Sequence, residues 1–192
     1  MSIPDTYPAY VERLSAALRA LPLDLVTRLG DELFDCWKTG RQLFLIGNGG
    51  SAGNANHLAN DYVYALSKRL GSGIRAHGLA ANSPIITCLA NDEGYETIFS
   101  IQLAVMARPG DVLLAFSGSG NSPNILAALA EAKRIGMISY AVLGYSGGKA
   151  KAMADVPIHV PVDDMQVAED LQMAIGHMIM QRLSARRKEV HA

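Results

Sequence analysis

Cysteine is nearly missing from this chain, and charged and aromatic residues are sparse. Its 192 residues include two cysteines, one tryptophan and 6% aromatics. Cys36 and Cys88 stand in no metal-binding or Cys-x-x-Cys spacing, so there is no disulfide framework, and both read as small apolar fillers of the core. With no signal-peptide pattern at the N-terminus, this predicts a reducing, cytoplasmic setting. Charged residues make up 18% of the chain, below the usual ~25%. Seventeen basic residues face eighteen acidic ones, so no basic field invites nucleic acid. The one basic cluster, 186-RRK-188, falls at the end of the last predicted helix, where it suits the helix dipole. No apolar run approaches the roughly 18 residues that a membrane span requires.

What is there is 49% hydrophobic and of one-domain size, with no repeat, low-complexity tract or linker. The expected organisation is one unit over 1–192, made of a helical pair in 1–39 and an α/β core in 40–192. Apolar residues at Val11, Leu14, Ala17, Leu18 and Leu21 make a helical stripe, and Pro22 separates it from a second helix ending at Thr39-Gly40. Beyond Gly40 the rhythm changes. Strands are expected at 42–46, 73–79, 111–116, 139–143 and 157–160. Helices are expected at 51–69, 95–106, 147–153 and 165–187, with a short helix or turn at 85–90 and a further helix capped by Ser122, opened by Pro123 and running to Ile135. Strands alternating with helices across short Gly/Ser turns predict a parallel sheet covered on both faces.

Two glycine-rich loops each follow an apolar strand and open a helix: 47-GNGGS-51 and 117-SGSGNS-122. Ligands of open α/β sheets bind at the carboxyl ends of strands, so both loops should line one edge. The second offers the hydroxyls of Ser117, Ser119 and Ser122, glycines that let backbone amides approach a ligand, and a helix N-terminus, together a cradle for a phosphate. It has no lysine, which suits a phosphomonoester better than a nucleoside triphosphate. The stretch 144-GYSGGKA-150 has the wrong spacing for a P-loop, with Ala150 in place of the magnesium-binding hydroxyl, and reads as a turn. The letters 47-GNGGSA-52 fit half of a dinucleotide fingerprint. The ribose-binding carboxylate due about 20 residues later is missing from 72-SGIRAHGLAA-81, so no nucleotide or redox cofactor is expected.

His57 and Asp61 stand four residues apart, on one helix face. Glu169 and His177 stand eight apart on the last helix. Were the two helices to cross, two histidines and two carboxylates would suit a zinc site or a proton-transfer pair; taken singly, each also reads as an ordinary helical residue. Asn91 and Asp92 follow the segment 85–89, placed either to hold sugar hydroxyls or to cap the next helix. His77, His159 and His191 have no partner pattern.

Together, 47-GNGGSAGNANH-57, 91-NDEGYETIF-99, 111-DVLLAFSGSGNSPN-124, 144-GYSGGK-149 and 175-IGH-177 resemble the sugar isomerase (SIS) domain family, and within it the phosphoheptose isomerases, over nearly the whole chain. The resemblance implies a flavodoxin-like three-layer α/β/α sandwich. It also implies a homotetramer with sites built from more than one subunit, and interconversion of sedoheptulose 7-phosphate and a heptose 7-phosphate. It assigns the phosphate to Ser117, Gly118, Ser119 and Ser122, and the sugar to Asn48, Gly49, Gly50, Ser51, Asn91 and Asp92. His57 matches a zinc ligand, and His177 a ligand that is also an acid/base residue. Two positions depart from the pattern: Asp61 stands where the family carries Glu as base and ligand, and Glu169 where it carries Gln as ligand and substrate contact. Asn54 and Gln172 likewise replace an acidic residue and a histidine. The shorter Asp61 sets its carboxylate back by roughly 1.5 Å, about the rise of one helical residue, and Glu169 brings a second carboxylate able to act as the base. One branch of the family resembles an adaptor for a replication initiator, without the acid/base set. The retained His57, Asp61, Glu169 and His177 favour an enzyme.

Overall fold

The computed structural model describes residues 6–66 and 72–190. Two helices, α1 (Tyr7–Arg19) and α2 (Leu23–Thr39), precede the first strand, and Gly40 ends α2 in a left-handed conformation, as the Thr39-Gly40 pair predicts. Five strands follow: β1 (Gln42–Ile46), β2 (Arg75–Gly78), β3 (Val112–Ser117), β4 (Ile138–Leu143) and β5 (Val156–His159). All pairings are parallel, in the order β2-β1-β3-β4-β5. The central strand β3 is buried at every position, which is why its sequence is an unbroken apolar run rather than an alternation.

Helices cover both faces. The remaining ones are α3 (Gly49–Asn60, continuing as a π-helical turn over Asp61–Ala65), α4 (Ser83–Asp92), α5 (Ser100–Met106), α6 (Pro123–Ile135), α7 (Ala150–Met153) and α8 (Met165–Arg186). Alternate strand residues feed two cores. Leu43, Leu45, Leu114 and Phe116 pack with Leu29 and Leu33 of α2, Leu58 of α3 and Leu171 and Ile175 of α8. Phe44, Ile46, Leu113 and Ala115 pack with Leu103 of α5 and Ile125 and Leu129 of α6. This is the three-layer sandwich that the alternating pattern predicts.

Several local expectations shift. The helix opening the first glycine loop starts at Gly49, with Asn48 rather than Ser51 at its cap; residues 67–69 of its expected span lie outside the described ones, as does His191. The helix expected at 95–106 is broken into a 3-10 turn over Tyr95–Thr97 and α5. Cys36 is buried, and burial pushes its thiol up to about 12. Cys88 is exposed rather than a core filler, within 3.5 Å of Asp92 Oδ2, which raises its pKa. Arg186 does more than face the helix dipole: it pairs with Asp31 at 2.9 Å and lies 3.6 Å over the Phe34 ring.

Candidate functional site

Strand order reverses direction between β1 and β3, and in doubly wound sheets the crevice outside that switch point is where ligands bind. Both glycine loops sit there. They line a cavity of about 250 Å³ with Asn48, Gly49, Gly50 and Ser51 on one side and Ser117, Gly118, Ser119 and Ser122 on the other. The nominal caps of both helices leave their amides open to it. Asn48 does not cap α3 with its side chain; its amide instead exchanges hydrogen bonds with Asn124 at 2.9 and 2.7 Å and accepts one from Tyr95 Oη. Ser122 makes no side-chain cap to α6, and its hydroxyl has no partner among the described residues. Two positive helix ends thus face one crevice, the setting in which backbone N–H groups take up an anion. Ser117 Oγ accepts from Gly120 N at 3.0 Å, and Ser119 Oγ from Asn121 N at 3.3 Å, so these two hydroxyls shape the loop while keeping their own protons to donate.

Glu169, on the first turns of α8, closes the crevice. Its carboxylate forms no hydrogen bond or ion pair with any described residue and lies directly against Gly50, where a Cβ would come within 2.3 Å of Oε2. A carboxylate aimed at a phosphate-sized anion cradle without a cation of its own is a group kept for a ligand. Asn124, which is 1% exposed, and Met165, whose side chain lines the crevice beside Glu169, are site residues that sequence reasoning missed; the reciprocal Asn48–Asn124 pair joins positions 76 apart and leaves no local signal. Asn91 and Asp92 are not brought to the crevice. α4 extends through both, and Asn91 Nδ2 donates to Asp92 Oδ1 at 2.7 Å on the exposed end of that helix.

The second cluster lies farther along α3 and α8. Those helices cross closely because residue 176 is glycine: a Cβ there would stand 2.4 Å from Leu58 Cδ1. Tyr62 Oη donates to the Gly176 carbonyl at 3.1 Å, and the substituted pair Asn54 and Gln172 bond each other at 3.1 Å while Gln172 also reaches Ser51 Oγ. Next to that contact, His57 Nε2 lies 3.3 Å from His177 Nε2, and Asp61 Oδ2 lies 3.4 and 3.7 Å from the two rings. Ligands about 2.0–2.2 Å from a tetrahedral zinc stand about 3.3–3.6 Å from one another, so these atoms fit three corners of such a site with the fourth open. The shorter Asp61 therefore still reaches both histidines, from the point where α3 widens into its π-helical turn. Glu169 is not part of this group. It stands eight helical residues, about 12 Å of rise, from His177 on the same helix. Both histidines are half exposed, at 50 and 49%. His77 and His159 serve elsewhere, bonded to Gln42 and to the Tyr145 carbonyl. Among the described residues no helix is long and apolar enough to cross a membrane.

Comparison with known proteins gives this arrangement its relatives. Residues 6–144 match the SIS domain family model. The chain is 40% identical over 147 residues to a phosphoheptose isomerase of Akkermansia muciniphila, covering 76% of each, and 37% identical to one of Trichlorobacter lovleyi, covering 80% of this chain and 78% of the other. A solved phosphoheptose isomerase of Francisella tularensis superposes with a TM-score of 0.87 at 26% identity, over 96% of this chain and all of that one. By sequence and by fold, the chain belongs to the SIS domain family, alongside the phosphoheptose isomerases.

Proposed function

We propose that the protein is an aldose–ketose isomerase of a sugar phosphate, converting sedoheptulose 7-phosphate to D-glycero-D-manno-heptose 7-phosphate through an enediol, and working as a single SIS unit per chain. The observation that carries this is the crevice itself, in which two open helix N-termini and a serine loop face a carboxylate without a cation, in a chain related to proteins named phosphoheptose isomerase. The phosphate would rest against Ser119, Ser122 and the amides of Gly118 and Ser119, with Ser117 holding the loop. Asn48, Gly49, Gly50 and Ser51 would face the sugar.

The reaction takes a proton from C1 and returns it to C2, while the hydroxyl proton of O1 moves to O2. Glu169, at the crevice, would take the carbon-bound proton, and His177, through the ring nitrogen not turned to the triad, would serve the transfer between oxygens. Asp61, committed to the two histidines, is better placed as a metal ligand than as the base. His57, Asp61 and His177 would hold a zinc ion, which when bound supplies polarisation of the substrate carbonyl. Glu169 and His177 stand about 12 Å of helix apart in one chain; a second copy that brought its triad to the crevice would let both act on one substrate, which favours a homotetramer with shared sites. The test is turnover of sedoheptulose 7-phosphate followed by NMR. Wild type should equilibrate the two sugars, and Glu169→Gln should bind substrate but lose about 100-fold or more in kcat. No turnover of any heptulose or hexulose phosphate by wild type, with or without zinc, rules the reading out.

A further inference from the structure

At the opposite edge of the sheet from the crevice, the N-terminal ends of β1, β2 and β3 surround a second cavity, of about 480 Å³. β1 carries the chain from Gln42 at this cavity to Ile46 near the crevice, about 13 Å, and the two cavities share no lining residue. Three separate loops each deliver an arginine to it: Arg41 just before β1, Arg75 at the start of β2, and Arg108 ahead of β3. Gln42 and Arg75 are register partners across β1 and β2, so Arg41 and Arg75 enter the cavity at the same level of the sheet.

The carboxylates around this cavity do not cancel the arginines. Asp111 is 4% exposed and already accepts from Gln42 N, Gln42 Nε2 and Arg108 N, at 2.8, 3.3 and 2.9 Å. Glu32 pairs with Arg41 alone, at 2.8 Å. Arg41 is further pinned by the Gly110 carbonyl and by Thr39 Oγ1, and Arg75 by the Gly40 carbonyl. Each guanidinium has five N–H groups, so these anchors fix the forks in place and leave donors free. Arg108 forms no side-chain hydrogen bond or ion pair with any described residue, and neither does Arg75 with a carboxylate.

Arginines that only quieted the carbonyls at helix ends would need one donor each and no cavity. Here the volume is that of a metabolite site, two of the three forks are anchored, and guanidinium geometry matches phosphoryl oxygens two at a time. We infer that this cavity binds a phosphorylated small molecule carrying two or more negative charges, at a site separate from the isomerase crevice.

Inorganic pyrophosphate titrated calorimetrically into the full-length protein at low salt tests this. Three proteins are compared: wild type, Arg75→Gln/Arg108→Gln, and Ser119→Ala/Ser122→Ala, with folding checked by circular dichroism. Arg108→Gln alone, at a side chain without partners, serves if the double variant is unstable. The expected result is a binding event in wild type and in the serine variant that weakens about tenfold or more in the arginine variant, because charge-assisted hydrogen bonds are lost. A second event lost only in the serine variant belongs to the crevice and bears on the proposed function instead. Binding unchanged in the arginine variant, or lost only in the serine variant, or absent altogether, overturns the inference.

Discussion

Two imidazole nitrogens 3.3 Å apart beside a carboxylate oxygen can be reconciled in only two ways: one proton shared between the rings, or a cation among all three. The near-tetrahedral spacing favours a cation. Asp61→Asn should therefore lower zinc affinity by more than about 100-fold, since even an outer-shell partner is typically worth 10–100-fold. Zinc content after equilibration at buffered free zinc checks this, and wild-type retention of metal in the variant counts against the site. His57 and Asp61 could be paired from their spacing, but their meeting with His177 depends on a helix crossing 120 residues away, which no local pattern encodes. His77 carries a different expectation. Burial and then the charge of Arg75 lower its pKa below the ordinary 6.5, against the opposing pull of Asp111. A lowered imidazole pKa means that the unfolded chain binds the proton more readily. The stability held by neutral His77 is thus complete above pH 6.5 and is lost as pH falls toward its folded pKa. The gap in melting temperature between wild type and His77→Gln should narrow from pH 7 to pH 5. An equal gap at both values would remove His77 as a source of acid sensitivity.

At the scale of elements, two glycines on the same pair of helices should respond differently to the same methyl group. In Gly50→Ala the new Cβ meets the end of a flexible, half-buried glutamate, which can swing away. Its melting temperature should stay close to wild type while kcat drops about 100-fold, the cost of misplacing a reacting group by about 1 Å. In Gly176→Ala the methyl meets Leu58, fully buried between α3 and α8, so the helices themselves must part. That overpacking should cost about 1–3 kcal/mol and separate His57 from His177, with zinc lost along with stability. Thermal melts and zinc analysis of both variants separate the cases; identical behaviour would contradict the close crossing. That both glycine loops line one crevice was legible because strand, turn and helix start are contiguous in the chain. The placement of Asn91 and Asp92 away from that crevice was not, because an apolar segment followed by Asn-Asp reads equally as a helix end or a site, and α4 simply continues through them. The break in the segment 95–106 was hidden too, since nothing in its apolar pattern marks a 3-10 turn after Gly94.

Taken as a whole, the molecule buries its sheet on both faces yet leaves apolar side chains in the open. Tyr7 is 92% exposed. Val105 is 81% exposed, and Val63, Tyr64 and Met178 are exposed within three residues of Asp61 and His177. A metal-competent triad bordered by open apolar surface resembles an interface more than a finished active site, and large exposed apolar patches mark such contacts. If the crevice of one chain is completed by the triad of another, assembly and activity must fail together. Light scattering behind size exclusion should give a tetramer for wild type. Val63→Lys/Met178→Lys should shift it toward smaller species and lose turnover, because a charge buried at an interface without a partner is strongly disfavoured. Both residues are exposed in the single chain, so the variant should keep its circular dichroism spectrum. A fully active monomer, in wild type or variant, would show that Glu169 and His177 act without a second copy.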